Sequence, residues 1–369
     1  MVNKQSEEKG KRDLAKLKKL GEQILAQLEV RKNPTLSIPI RSLSNTYYDE
    51  KKGILQIGNK TQKRYYLNLA HARKFMQNML VAAETKKLIE SGKTTSIRDL
   101  YYMLKHTISN SKENTFEEQE ESNPMIEDLE VELDILREDL HLYASNRGSL
   151  VGNITIEDSG DTIEARRMGS GGWNIPSIVE DDVINFKNCD ADFVLFCEKD
   201  AMWRRLNEDK FWQKHNCILM HGQGMAPRGV RRLLHRIDKE LKLPIIVFVD
   251  NDPWGLYIYS VIKQGSINLA YESKRMAVPK ARFVGLSSYD QEKFKLPNNV
   301  SIKLTNIDIK RSKEMLAYQW FQKKDWQDEI KHMLKKGVKL ELEALSNKGI
   351  SFASETYLPQ KIKNEDYLT

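Results

Sequence analysis

Cysteine is scarce in this chain of 369 residues, with Cys189, Cys197 and Cys217 the only three. They form no Cys-x-x-Cys pair and no zinc-ligand spacing, which excludes a disulfide scaffold and a structural zinc site. Two of them lie in apolar runs, where a free thiol behaves as a small hydrophobe, as expected in a reducing cytosol. Long hydrophobic runs are also missing: no stretch approaches the roughly 20 apolar residues needed to span a bilayer. Met1 to Lys19 is charged and lacks the apolar core of a signal peptide. The expectation is a soluble, cytoplasmic protein without a membrane partner. A nucleotide loop is absent too, because Gly169-Ser-Gly-Gly172 lacks the Gly-Lys-Ser/Thr ending and no such motif occurs elsewhere. Any nucleotide energy must therefore come from another polypeptide.

Charge is what the chain has in quantity. Lys and Arg outnumber Asp and Glu by 59 to 52, a net +7 with a pI near 9.0, which permits a polyanionic partner without requiring one. Between Glu113 and Asp139 stand twelve carboxylates against the single Arg137, so the remaining surface is more basic than the average. At this length two or three domains are expected.

Leu14, Leu17, Leu20, Ile24, Leu25 and Leu28 recur at helical spacing and predict an amphipathic helix over residues 1–31, a docking arm or partner-binding helix. Pro34 to Ile40 breaks the pattern, Tyr47 to Tyr66 reads as short strands, and Leu67 to Ser91 as a helix ended by Gly92. The segment Thr94-Thr-Ser-Ile-Arg-Asp caps a further helix, and a third is expected from Pro124 to Ala144. Strand-like Ser149–Gly152 and Asn153–Ile156 follow. Helices and then a small sheet resemble a winged helix. From Asp190 strands and helices alternate, the texture of an α/β domain with a mainly parallel sheet. The expected division is an N-terminal arm with short strands over 1–68, a winged-helix domain over 69–160, a linker over 161–189, and an α/β domain with a helical tail over 190–369.

Two motifs carry chemistry. Glu198 and Asp250 each follow an apolar strand, and in parallel sheets ligands sit beyond the carboxyl ends of strands. Asp252 lies two residues on and shares a face with Asp250 in extended backbone. Three such carboxylates suit magnesium, which prefers oxygen ligands and commonly binds together with substrate phosphate. The competing reading is that the two aspartates cap a helix starting near Trp254. Zinc is disfavoured, since none of the seven histidines has ligand spacing to these acids.

The second motif is Arg98-Asp-Leu-Tyr-Tyr102. A free tyrosine is about one part in a thousand phenolate at neutral pH, a deficit of about 4 kcal/mol for a nucleophile, so it needs a cationic neighbour. Arg98 is four residues before Tyr102, on the same helix face, where it can stabilise phenolate or grip a phosphate bidentately. Tyr101 is rotated by a quarter turn or more. A Tyr-Tyr pair alone is ordinary packing and gains meaning only beside the acids. Arg228, Arg231, Arg232 and Arg236 form one stripe, which either lies along phosphates or is a solvated face. Arg147, in a turn before the strand pair, is a further DNA-binding candidate. Lys274, Arg275, Lys280 and Arg282 are weaker ones.

The combination resembles the A subunits of archaeal DNA topoisomerase VI, the type IIB enzyme related to the meiotic double-strand-break protein. The likeness runs from about residue 65 to Lys361 and rests on Arg98-Asp-Leu-Tyr-Tyr102, Asn146-Arg-Gly-Ser-Leu-Val-Gly152, the Phe-Cys-Glu198 strand end and His221-Gly-Gln-Gly224. It also includes Val249-Asp250-Asn-Asp-Pro-Trp-Gly255 and Glu355-Thr-Tyr-Leu-Pro359. The resemblance implies a winged-helix (CAP-like) domain carrying the nucleophile Tyr102 with Arg98, followed by a Toprim domain whose Glu198, Asp250 and Asp252 hold Mg2+, with Glu198 also serving as acid or base. It further implies double-stranded DNA as substrate, a homodimer, and a separate GHKL-type ATPase, the B subunit, which takes up ATP and completes an A2B2 heterotetramer near the nucleoid. A break-forming nuclease of the meiotic type, a Toprim nuclease or primase, and a DNA-binding scaffold whose acids only cap helices remain alternatives.

Overall fold

The leucine-rich N-terminal segment folds as expected: Lys4–Glu29 is a helix that buries Leu17, Leu20 and Ile24. The computed structural model describes residues 4–369, so the first three residues of the predicted helix lie outside the described residues, and the chain divides into two units, one of residues 4–45 and 57–145, the other of 46–56 and 146–369.

In the first unit, Leu69–Ser91 forms the long helix, capped by the Asn68 side chain and closed by Gly92 in the left-handed conformation that glycine adopts without a Cβ penalty. Ile97–Leu104, the helix of the tyrosine motif, starts at Ser96, whose hydroxyl accepts from the Asp99 amide. Leu100, Tyr101 and Leu104 turn inward to a core shared with Phe75, Phe116, Met125 and Leu129. The helical pattern breaks after Glu29, as expected, and Thr35–Pro39 is a strand paired antiparallel with Thr61–Tyr65. One expectation fails here. The third helix ends at Leu133, because Asp134 takes a left-handed conformation and the Glu130 side chain accepts from the Arg137 amide, pulling the chain out of helical register.

The second unit is α/β. Its central sheet places four parallel strands side by side in the order Cys217–His221, Phe193–Cys197, Ile245–Phe248 and Arg282–Gly285. Ser149–Gly152 extends this sheet antiparallel to Cys217–His221, and Trp173–Asn174 adds a short edge. Ile154–Asp158 pairs instead with Asp161–Glu164 and Ile184–Cys189 in a separate three-stranded sheet. Residues 146–160, grouped by the sequence reading with the tyrosine helix, therefore belong to the second unit. Close backbone approach at Gly152 explains the docking: a Cβ there would stand 2.4 Å from the Cys217 carbonyl oxygen. The inner strands Phe193–Cys197 and Ile245–Phe248 are apolar on both faces, as helical cover requires, and Trp203, Phe211, Phe248 and Tyr357 fill the core on one side. No helix among the described residues is long and apolar enough to cross a membrane.

Candidate functional site

Each unit carries one constellation of reactive side chains. On the Ile97–Leu104 helix, neighbouring tyrosines point differently: Tyr101 is 6% exposed and Tyr102 60%. The Tyr101 hydroxyl donates to the Glu117 carbonyl (2.7 Å) and accepts from Lys105 Nζ (2.8 Å), so it is tied into the fold. Its ring meets that of Tyr102 edge-on, with centroids 5.0 Å apart. Tyr102 presents its phenol to solvent, and Arg98, also exposed, makes no ion pair among the described residues. The helix thus offers a hydroxyl and a guanidinium of which neither is spent internally.

In the second unit, Glu198 and Asp250 leave the carboxyl ends of adjacent parallel strands, which are in register through Cys197 and Phe248. Glu198 Oε2 accepts from the Asp250 amide at 3.2 Å. Asp250 is buried, with Oδ1 accepting from the Leu342 amide (2.8 Å) and Oδ2 facing Lys199 Nζ (2.9 Å). Asp252 caps the Pro253–Gln264 helix through Gly255 N–H (2.6 Å). The capping reading is thus true of Asp252, and it leaves the carboxylate beside Asp250. Only glycine fits at 255, since a Cβ would lie 2.3 Å from the Asp250 carbonyl oxygen.

Burial, and then the charge of Asp250, push Glu198 up to about 7. Burial raises Asp250 to about 6 despite Lys199, and it raises Asp252 as well. Three desolvated carboxyls that resist ionising together form a charge excess, which a divalent cation relieves. The donor set, all oxygen, fits magnesium. As they stand the side chains do not converge as a preformed cage, and among the described residues no three His, Cys, Asp or Glu groups do so. Each acid is turned toward an internal partner, and for Asp250 that partner is a cation.

Sequence reasoning missed the clamp around this loop. Asn251 pairs through its backbone with Leu340, and its amide donates to Glu329 Oε1 at 3.1 Å. Glu329, fully buried, also accepts from Ser287 Oγ (2.7 Å) and Ser288 N (2.5 Å). Lys199 reaches Glu343 (2.8 Å) and Glu341 (3.4 Å) in addition to Asp250. Nothing local in the sequence marks these partners, which come from segments far along the chain.

The arginine stripe departs from expectation. Arg228, Arg231 and Arg236 are buried. Arg228 pairs with Glu272 (2.9 Å), Arg232 with Glu180 (2.9 Å), and Arg236 with Glu240 and the carbonyls of Val179 and Ile184. These guanidiniums tie the helix into its own unit and form no open track for phosphates. Arg275, one of the weaker candidates, is likewise paired with Glu180 and Glu272. Arg147 is exposed. It precedes Gly148, where a Cβ would stand 2.3 Å from the His221 carbonyl oxygen, and this places the turn at the carboxyl end of the Cys217–His221 strand, the sheet end that carries Glu198.

Comparison with known proteins supplies the family. Residues 73–142 match a family model described as Type IIB DNA topoisomerase, and 146–190 match an all-beta domain of the DNA topoisomerase VI alpha subunit. Residues 193–362 match the Toprim domain shared by Spo11 and the Topoisomerase 6 A chain. The A subunit of type 2 DNA topoisomerase 6 from Pyrococcus abyssi is 47% identical over 95% of this chain and 94% of its own length. The chain belongs to the family of topoisomerase VI A subunits. Proteins of the same name from Hyperthermus butylicus, 42% identical over 97% of this chain and 96% of the relative, and from Sulfurisphaera tokodaii, 38% over 100% and 99%, extend the likeness to the full length. As a member of this family, the chain is a type IIB topoisomerase component with a Toprim domain over the acid site.

Proposed function

We propose that this chain cuts and rejoins double-stranded DNA by transesterification through Tyr102. The observation that carries the reading is the contrast within the tyrosine pair: only Tyr102 has a free, solvent-facing hydroxyl, and an uncommitted Arg98 lies four residues before it. The phenolic oxygen attacks a backbone phosphorus, the bond from phosphorus to the 3′ oxygen breaks, and the 3′ hydroxyl leaves with a proton. The 5′-phosphotyrosyl link conserves the bond for the reverse step. Arg98 grips the phosphate and offsets developing negative charge. Glu198, held near 7, suits proton exchange with the tyrosine or the leaving hydroxyl.

Glu198, Asp250 and Asp252 would hold Mg2+, which supplies charge stabilisation at the phosphate when bound. Arg147 contacts the DNA backbone. Two copies act together, the tyrosine of one working with the acids of the other, so that both strands are cut. A GHKL-type ATPase, the B subunit, takes up ATP and completes an A2B2 assembly for strand passage, in keeping with the missing nucleotide loop in this chain.

The test is denaturant-trapped adduct formation on supercoiled DNA with Mg2+ and the ATPase partner. Tyr102→Phe should abolish adduct and breaks, while Tyr101→Phe keeps them. Hydrolysis of DNA by wild type without any protein-linked 5′ end would replace this reading with that of a Toprim nuclease.

A further inference from the structure

Lys199 occupies an unusual position. It follows Glu198 directly, and its ammonium lies among three carboxylates: Asp250 Oδ2 at 2.9 Å, Glu343 Oε2 at 2.8 Å and Glu341 Oε2 at 3.4 Å. These acids differ in kind. Asp250 is buried, whereas Glu341 and Glu343 are about half exposed and flank Leu342, whose amide holds the other oxygen of Asp250. The ammonium thus sits on the border between the acid site and an outer acidic pair.

We propose that Lys199 is an internal counter-cation of the acid site, one that exchanges between Asp250 and the Glu341/Glu343 pair and thereby sets the affinity for a divalent cation. The inference rests on reading Glu198, Asp250 and Asp252 as the cation's ligands.

An ammonium at 2.9 Å from Asp250 Oδ2 and a divalent cation bound to the same carboxylate repel each other strongly in a desolvated setting. The ammonium must therefore give way as the cation binds. It need not move into bulk water, because Glu341 and Glu343 already contact it and its four-carbon stem is flexible. Without a divalent cation, the same ammonium offsets part of the charge that would otherwise oppose burial of Asp250. Binding becomes an exchange of one cation for another. Its cost depends on how well the outer pair receives Lys199.

Two substitutions should then shift binding in opposite directions. Lys199→Met removes the competitor and tightens Mg2+ binding. Glu341→Gln with Glu343→Gln removes the alternative seat, leaves the ammonium on Asp250 and weakens binding. General damage to the fold would weaken both.

The measurement is calorimetric titration of MgCl2 into the full-length chain at mildly alkaline pH without DNA or nucleotide. Wild type, Lys199→Met, Lys199→Gln, the Glu341/Glu343 double variant and Asp250→Asn are compared. The expected result is about tenfold tighter binding for both Lys199 variants and severalfold weaker binding for the double variant. Lys199 variants that bind Mg2+ no more tightly than wild type, or a double variant that binds no more weakly, overturn the proposal while leaving the acid site as the Mg2+ site. If wild type shows no saturable binding, or if Asp250→Asn leaves it unchanged, the assignment of the ligands falls and this inference falls with it.

Discussion

The two units prepare their reactive groups in opposite ways. In the first, Tyr102 and Arg98 stand exposed and unspent on a short helix, anchored by the buried face of Leu100, Tyr101 and Leu104. In the second, Glu198 and Asp250 are buried, crowded and raised toward neutrality, with their oxygens engaged by backbone amides and Lys199. A nucleophile must reach its substrate, so it is presented. An electrostatic site gains strength from exclusion of water, so it is enclosed.

The contrast is broken most directly at Asp250. Asp250→Asn keeps the shape and the Leu342 contact but loses the charge, and adduct formation should fall by about 10²–10³-fold. Activity within about threefold of wild type would remove this acid from the chemistry. A large effect on folding is expected from Arg236, whose guanidinium serves Glu240 and two buried carbonyls. Arg236→Ala should cost about 3–5 kcal/mol in urea unfolding. Unchanged stability together with weakened DNA binding would restore the phosphate-track reading of that helix.

Arg147→Ala sharpens the same comparison from the exposed side. It should leave the urea midpoint alone and lower the salt slope of DNA binding by about one. An unaltered slope would show that Arg147 touches no phosphate.

One buried group in each unit, a carboxyl in the first and an amine in the second, ties stability to pH with opposite sign, while Glu198 and Asp250 of the second unit share the sign of the first. Glu132, in the first unit, is raised to about 7 by burial and then by Asp128, so the folded form holds more protons than the unfolded form between about 4.5 and 7. Stability from this group is present below that window and is lost as pH rises through it. Lys263, in the second unit, is lowered by burial to about 8, so the unfolded form holds more protons between about 8 and 10.5, and stability rises with pH there. Segment-resolved hydrogen exchange across both windows should show the two trends. Glu132→Gln and Lys263→Met should flatten one trend each, and a trend that survives its substitution assigns the titration to another group.

The smallest effect is expected at Tyr101. Tyr101→Phe deletes the bond to the Glu117 carbonyl, leaves the ring against Tyr102, and should cost about 1 kcal/mol with adduct formation retained. Loss of the adduct would make the Tyr101 hydroxyl part of the reaction.

By itself the sequence determined the elements and the reactive residue types. Apolar runs ending in Glu198 and Asp250 read as buried parallel strands with acids at their carboxyl ends, because strand period and ligand placement are local rules. The helical spacing of Arg98 and Tyr102 was legible for the same reason. Tertiary structure decided what each charge is used for. The stripe of Arg228, Arg231, Arg232 and Arg236 has the spacing of a surface, yet the acids and carbonyls that meet it come from distant segments such as Val179 to Ile184 and Glu272. Residues 149–158 were legible as strands, but their sheet was not, since pairing depends on a close approach of Gly152 to the distant strand Cys217–His221. Lys199, Glu329, Glu341 and Glu343 gather around the acid loop only when the chain folds back on itself, because a charge acquires its role from neighbours that sequence distance does not reveal.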